Sequence, residues 1–171
     1  MTTASNVPAE VRLISEWLDG KHVEHELRFH SRAHTAQTTA LAAGVPPDTF
    51  AKVVGVRTDS GRPALLVVDA TEEVDLRKAA AALGVGRVEL LSEHELAALA
   101  PACEPGAMPA LGRLFGLEMV ADLAVGVDPR ISFNAGSHRW SVRVDRAGWE
   151  RAANVCYASL AADRATGART R

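Results

Sequence analysis

Several features that mark whole classes of protein are missing from this 171-residue chain. Its two cysteines, Cys103 and Cys156, lack CxxC or any other ligand spacing, which predicts a reduced, cytoplasmic protein without a zinc site. No apolar run approaches the roughly 20 residues of a membrane helix, and the N-terminus has no signal-peptide layout. A net charge of −2 gives no basic excess for gripping long nucleic acid. We therefore expect neither a membrane nor a DNA partner.

The motifs of several enzyme classes are also missing. The chain has no Ser-His-Asp order, HExxH, P-loop or GxGxxG, so it offers no support for a nucleophilic triad, a metal or a cofactor. Aromatic residues make up only 5% of the chain, whereas hydrophobic residues make up 47%. This composition predicts a folded domain with a core of mostly Ala, Val and Leu.

Helix and strand signals are mixed without strict βαβ alternation. Helical spacing and caps predict helices over residues 8–20, 34–44, 74–84, 91–100 and 145–162, the last starting at the Asp145 cap. Apolar and alternating runs predict strands over residues 22–29, 50–57, 64–70, 87–91, 117–122, 130–134 and 138–145. The fold class is therefore α/β, with a mixed, largely antiparallel curved sheet and surrounding helices.

A lysine lies inside one of the most apolar predicted strands. In "FAKVVGVR", residues 50–57, the neighbours of Lys52 on both faces are small or apolar. Burying an ammonium is costly unless an anion or a set of acceptors compensates. Lys52 therefore either extends to solvent or to a nearby acid, or faces a cleft where it holds a phosphate or polarises a carbonyl.

Two further places could belong to such a cleft. His138 is in phase with Trp140 and looks inward from the end of a predicted strand, beside the predicted turn "NAGS". The loop "EPGAMP", residues 104–109, has a glycine and prolines that can fix a turn with its N–H groups facing a ligand. A buried structural histidine and a plain surface turn are the competing interpretations.

Together these places resemble the YbaK / prolyl-tRNA synthetase-associated domain family. The likeness runs from about residue 35 to about residue 153, and it is carried by "TFAKVVGVR", "PGAMPALG", "VAD" and "FNAGSHRWSVRV". Members of that family have a mixed α/β fold and hydrolyse mischarged aminoacyl-tRNAs, such as Cys-tRNA(Pro) or Ala-tRNA(Pro). The resemblance implies a trans-editing deacylase with a small-amino-acid pocket that acts on the tRNA acceptor end, with an aminoacyl-tRNA synthetase as a candidate partner.

The resemblance also implies the site and the domain division. Lys52 takes the place of the family's catalytic lysine. Substrate-binding residues would come from two segments: Gly106, Ala107, Met108 and Pro109, and Gly136, Ser137 and His138. Residues 35–161 would form the editing domain, with residues 1–34 packed on it as a helix and a strand, and 162–171 as a flexible tail.

Two other functions stay open on the sequence. Val53 follows the lysine where many editing members carry Asn or Thr. This difference leaves room for a non-catalytic module that binds an aminoacyl or nucleotide-like ligand. It also leaves room for a hydrolase of small esters that does not act on tRNA.

Overall fold

A computed structural model describes residues 6–163 of the chain, and these residues form an α/β fold. The α-helices are α1 (Ala9–Gly20), α2 (Ala36–Ala42), α3 (Leu76–Leu83), α4 (Glu93–Leu99) and α5 (Arg146–Ala153). The strands are β1 (His25–Phe29), β2 (Ala51–Thr58), β3 (Pro63–Asp69), β4 (Val88–Leu90), β5 (Glu118–Asp122), β6 (Arg130–Ser137), β7 (Trp140–Asp145) and β8 (Cys156–Ala158). Short 3₁₀ turns cover Pro47–Thr49, Gly112–Phe115 and Leu123–Gly126. No helix within residues 6–163 is long and apolar enough to cross a membrane.

The strands divide between two sheets. One sheet has five strands in the order β4-β2-β3-β5-β8, and the other has three in the order β1-β7-β6. The β3–β5 and β5–β8 pairs are parallel, whereas the remaining named pairs are antiparallel. An isolated parallel bridge between Phe50 and Ser132 links the two sheets. The predicted mixed, largely antiparallel architecture is confirmed, with its strands divided between two sheets.

The hydrophobic core follows the alternation predicted for β2 and β3. Ala51, Leu65 and Val67 face a large cluster that also holds the buried side of α1. Leu66 and Val68 face the opposite way, into a second cluster beneath α3. Because successive side chains of a strand point to opposite faces, both faces of β3 are buried, whereas Lys52, Val53 and Val54 of β2 stay partly exposed.

The predicted closing helix is too long. It begins as expected, where the Asp145 carboxylate accepts the N–H of Gly148, but α5 ends at Ala153. Asn154 has a positive φ of 51°, a conformation that stops a helix. The chain then forms β8, which pairs with β5, a strand more than 30 residues earlier. The Ala-rich sequence has helical propensity, and this long-range pairing overrides it.

The N-terminal helix and strand are built into the fold. Ile14 and Leu18 of α1 are fully buried in the large cluster, and β1 is an edge strand paired with β7. Of the predicted tail, residues 164–171 lie outside the described range, while the N–H of Ala162 donates to the carbonyl of Glu73.

Candidate functional site

A cleft of about 340 Å³ lies along β2, between the start of α4 and the loop that precedes the 112–115 turn. Its walls include apolar side chains from β2 and from the β4–α4 region, among them Val53, Val54, Leu91 and Leu96. Its polar and backbone lining comes from six positions: His34, Lys52, Glu93, Gly106, Met108 and Asn134. The structure thus brings Lys52 together with the glycine-proline loop.

Lys52 lies at the edge of this cleft. It is opposite Val68 in the β2–β3 register, and its side chain is 23% exposed. Its Nζ lies 3.4 Å from Oε1 of Glu73, whose own side chain is 87% exposed. Surface ion pairs of this kind contribute only about 0–1 kcal/mol. Both sequence interpretations therefore hold in part: the ammonium pairs with an acid, and it remains available to a ligand in the cleft.

The loop around Gly106 presents two backbone N–H groups without partners. The N–H of Ala107 donates to the carbonyl of Glu104, and the N–H of Gly136 donates to the carbonyl of Ala107, which ties the loop to β6. The N–H groups of Gly106 and Met108 donate to no other group within residues 6–163. Since both residues line the cleft, these groups can bind the oxygen of a ligand.

The loop needs glycine at position 106. Gly106 has a φ of +83°, and a Cβ there would lie 3.3 Å from Cε1 of His138. Ala107 and Pro109 are buried beneath the loop and do not line the cleft. Of the four predicted loop residues, Gly106 and Met108 contact the cleft, whereas Ala107 and Pro109 support them.

His138 supports the loop from behind. Its side chain is buried, with Nδ1 3.1 Å from the carbonyl oxygen of Ala33 and Nε2 2.7 Å from that of Pro105. Its backbone N–H donates to a carboxylate oxygen of Glu104. Both ring nitrogens thus face backbone groups, and the histidine is not part of the cleft lining. The geometry matches the structural-histidine interpretation, with a role in positioning Gly106.

The predicted "NAGS" turn is a strand instead. β6 continues through Ser137 with an irregularity between Asn134 and Ser137, and the turn consists of His138 and Arg139. Gly136, at φ +82°, and Ser137 are buried and lie outside the cleft lining. The sequence placed His138 in β7 because it continues the alternation of Trp140, but the irregularity before Ser137 changes the register.

Three polar residues of the cleft were missed by the sequence analysis. His34 precedes α2, with its ring centroid 5.0 Å from that of His138. Glu93 begins α4, and Asn134 lies in β6. A glutamate in the first turn of a helix is ordinary, and no motif joins these three segments. The sequence feature that could have indicated Asn134 is its position two residues before Gly136, in "FNAGSH".

A half-buried aspartate, Asp69, and a buried one, Asp122, shape the electrostatics at the carboxyl ends of β3 and β5. Burial, together with the nearby carboxylates of Asp128, Asp122, Asp48 and Glu72, raises the pKa of Asp69 to about 7. Burial would also raise the pKa of Asp122, but the N–H groups of Leu160, Ala124 and Ala161 bring it below its ordinary value. Within residues 6–163, no three His, Cys, Asp or Glu side chains are arranged to hold a metal ion.

The residues that line the cleft include a cation, a carboxylate, apolar side chains and two residues, Gly106 and Met108, whose backbone N–H groups have no partner within residues 6–163. The cation and the N–H groups favour negative charge on a ligand oxygen. The carboxylate favours a positively charged group close by. Such a site is suited to a polar ligand with a small apolar part and a carbonyl on which charge develops.

Comparisons with known proteins point to one family. The model of the aminoacyl-tRNA editing domain family matches residues 30–152. The fold resembles a crystal structure of a candidate trans-editing enzyme for prolyl-tRNA synthetase, with a TM-score of 0.79 and 19% identity over 92% of this chain and 100% of that one. It also resembles a protein described as hypothetical, with a TM-score of 0.77 and 15% identity over 88% and 99% of the two chains.

A third structure with this fold comes from epitope grafting on scaffold proteins. Its TM-score is 0.77, with 21% identity over 92% of this chain and 99% of that one. No curated protein sequence matches the chain. At these identities, the structural matches establish the shared α/β fold.

Proposed function

Because the chain belongs to the aminoacyl-tRNA editing domain family, we propose that it hydrolyses the ester bond of mischarged aminoacyl-tRNA. One observation carries the proposal: Lys52 lines the same cleft as Gly106 and Met108, whose backbone N–H groups have no other partner within residues 6–163. An aminoacyl ester is already activated, so hydrolysis mainly needs a positioned water and a stabilised oxyanion.

In this proposal each group of the cleft has a distinct role. The N–H groups of Gly106 and Met108 bind the ester carbonyl oxygen, and water adds to the carbonyl carbon to give an oxyanion at that position. The intermediate then breaks the bond to the ribose oxygen, which takes the proton that the water loses. Lys52 leaves its exposed partner Glu73 and binds the terminal ribose or phosphate, holding the ester against the loop. The products are the free amino acid and the tRNA.

The size and walls of the cleft favour a small amino acid. Its volume of about 340 Å³ is near the lower end of the ~300–1,000 Å³ range of ligand pockets. Because one methylene changes binding by only ~1–3 kcal/mol, exclusion of larger side chains must be steric. Val53 stands in this wall, where an apolar side chain narrows the cleft without taking part in the chemistry.

The proposed carrier of the amino acid is the acceptor end of a tRNA. The net charge of −2 suits contact with a short part of the nucleic acid more than with its whole length. Arg32, two residues before the cleft residue His34, has an exposed side chain 3.9 Å from Glu104 and can reach a phosphate. A synthetase partner would supply the remaining affinity, and tRNA(Pro) is the first tRNA to test, given the structural match to a candidate prolyl trans-editing enzyme.

The experiment is a hydrolysis screen with the purified chain. Ala-, Ser-, Cys- and Pro-tRNA(Pro) are prepared with labelled amino acids, and release of the label is followed with enzyme in excess. We expect rapid release of one or two of the small, wrong amino acids and slow release of proline. Binding without release would support the non-catalytic module instead. Equal rates on the intact tRNA and on an aminoacyl ester of a simple alcohol would support the small-ester hydrolase.

A further inference from the structure

Two side chains that line the cleft offer hydrogen-bond acceptors without donors. Glu93 forms no ion pair or hydrogen bond within residues 6–163, and its Oε1 lies 4.0 Å from the position of a Cβ built on Gly106. Asn134 makes no side-chain hydrogen bond in the same range, and its Oδ1 is buried without a partner. Glu93 is exposed, so water can solvate its carboxylate, whereas a buried atom without a partner, such as Oδ1 of Asn134, is rare in folded proteins and calls for a ligand or a water.

These acceptors indicate which kind of ligand group the two side chains can bind. A carboxylate and an amide oxygen together suit a group with several N–H donors and a positive charge, and an ammonium has three such donors. Asn134 lines the cleft and makes no side-chain hydrogen bond within residues 6–163, so no hydrogen bond opposes a rotation of its amide toward a ligand. Lys52 does not pair with Glu93 or Asn134 in the structure, where its Nζ lies 3.4 Å from Oε1 of Glu73.

The aminoacyl ester supplies such a group at the right place. Its α-amino nitrogen is two bonds from the carbonyl carbon, so a carbonyl held at the Gly106 N–H places the ammonium within a few ångströms of that residue. Glu93 is the carboxylate whose oxygen lies 4.0 Å from the Gly106 Cβ position. The geometry therefore connects carbonyl binding by the loop with amine binding by Glu93.

We propose that Glu93, with Asn134, binds the free α-ammonium group of the aminoacyl ester, an inference that rests on the proposed function. The site then selects for an unblocked amino acid. In an N-acylated or peptidyl ester, the α-nitrogen is a neutral amide with one N–H donor in place of three. Such a ligand offers the Glu93 carboxylate no positive charge to pair with. Peptidyl-tRNA and N-blocked aminoacyl-tRNA are therefore rejected, whatever their side chain.

The test measures binding, so that it does not depend on turnover. The probe is 3′-alanylamido-3′-deoxyadenosine, in which an amide replaces the cleavable ester, and its N-acetylated form is the comparison. Titration calorimetry with the wild-type chain should show the free-amine form binding about 10–100-fold more tightly, the range for a hydrogen bond to a charged group. Glu93→Gln should remove most of that difference by weakening the free-amine form alone.

Glu89→Gln is the matched control. Glu89 is an exposed carboxylate on β4 that pairs with Arg87 and does not line this cleft, so its variant should keep the wild-type preference. Equal binding of the two probes to wild-type protein would overturn the inference. Equal weakening of both probes by Glu93→Gln, or no detectable binding of the free-amine probe to wild-type protein, would also overturn it.

The same samples separate this inference from the proposed function. If the protein hydrolyses mischarged tRNA but binds both probes equally, the deacylase function is supported and the proposed role of Glu93 is refuted. Amine-selective binding without hydrolysis would keep the Glu93 site and point to a non-catalytic module.

Discussion

The buried carboxylate of Asp122 gives the sharpest prediction about stability. Its side chain is 6% exposed. Oδ1 accepts the backbone N–H groups of Leu160 and Ala161, and Oδ2 accepts that of Ala124. These bonds attach the segment after β8 to the end of β5. Asp122→Ala should therefore release this segment from the sheet.

The magnitude follows from the three donors that lose their acceptor. A hydrogen bond to a charged group contributes about 1.5–3 kcal/mol net, and a buried N–H left without a partner costs about 1–3 kcal/mol. Leu160 is fully buried, whereas Ala161 and Ala124 can partly reach water. We expect Asp122→Ala to lower the free energy of unfolding by about 3–5 kcal/mol, a large share of the ~5–15 kcal/mol of a typical domain.

Urea unfolding followed by tryptophan fluorescence measures this loss, since Trp149 is fully buried. Asp163→Ala is the control, because Asp163 is an exposed carboxylate of the same segment that pairs with Lys78, and its loss should cost less than ~1 kcal/mol. A loss below ~1 kcal/mol for Asp122→Ala would refute the reasoning.

The pH dependence gives a second check on the same residue. Folding lowers the pKa of Asp122 below 3.8, although burial alone would raise it, because backbone N–H groups bind the carboxylate. Its contribution is therefore fully present above the unfolded value and is lost as the pH falls through the folded value. The stability gap between wild type and Asp122→Asn should be constant from about pH 5 to 8 and should narrow below pH 3.8. A gap that stays constant at low pH would contradict the assignment.

Three further predictions concern the cleft and its surroundings. Gly106→Ala should slow hydrolysis by about 10–100-fold, because a Cβ would press on the His138 ring and displace the loop N–H groups. Its control is Gly61→Ala, where φ is also positive but no atom lies near the added Cβ. This variant should keep the wild-type rate in the tRNA assay. Gly55→Ala should place a Cβ 2.7 Å from Cδ1 of Leu96 and reshape the wall, so competition assays should show a shift toward the smaller of two accepted amino acids. Burial, aided by nearby carboxylates, raises the pKa of Asp69 from 3.8 to about 7, so the folded state binds the proton more tightly and stability falls as the pH rises through that window. In thermal unfolding, Asp69→Asn should therefore gain more stability over wild type at pH 8 than at pH 4. An equal gain at both pH values would contradict this prediction.

Local signals predicted much of the fold. Ser92 and Glu95 form the capping box at the start of α4, with each side chain accepting the other residue's backbone N–H, and the Asp75 side chain caps α3. The apolar sequence "FAKVVGVR" predicted a strand, and β2 is that strand, although Lys52, Val53 and Val54 stay partly exposed where the cleft lies along it. These features depend on residues a few positions apart, so the sequence alone contains them.

Long-range contacts account for what the sequence could not predict. β8 exists because β5 offers it a parallel partner, and the two-residue turn at His138 depends on the irregular pairing of β6 with β7. In the cleft, Glu93 and Asn134 come from segments about 40 residues apart, and they meet Gly106 only in the folded chain. Lys52 could be identified from the sequence because a charged side chain is unusual among apolar strand neighbours, whereas a glutamate in the first turn of a helix is ordinary.

The most direct test of the account compares two lysines in single-turnover hydrolysis of mischarged tRNA. Lys52 and Lys78 have similarly buried side chains, 23% and 29% exposed, and each pairs with an exposed carboxylate, but Lys52 is the one that lines the cleft. We predict that Lys52→Ala loses at least about 100-fold of the rate with unchanged circular dichroism, while Lys78→Ala keeps the wild-type rate. Equal rates for Lys52→Ala and wild-type protein would contradict the central claim that this cleft is where the ester is cleaved.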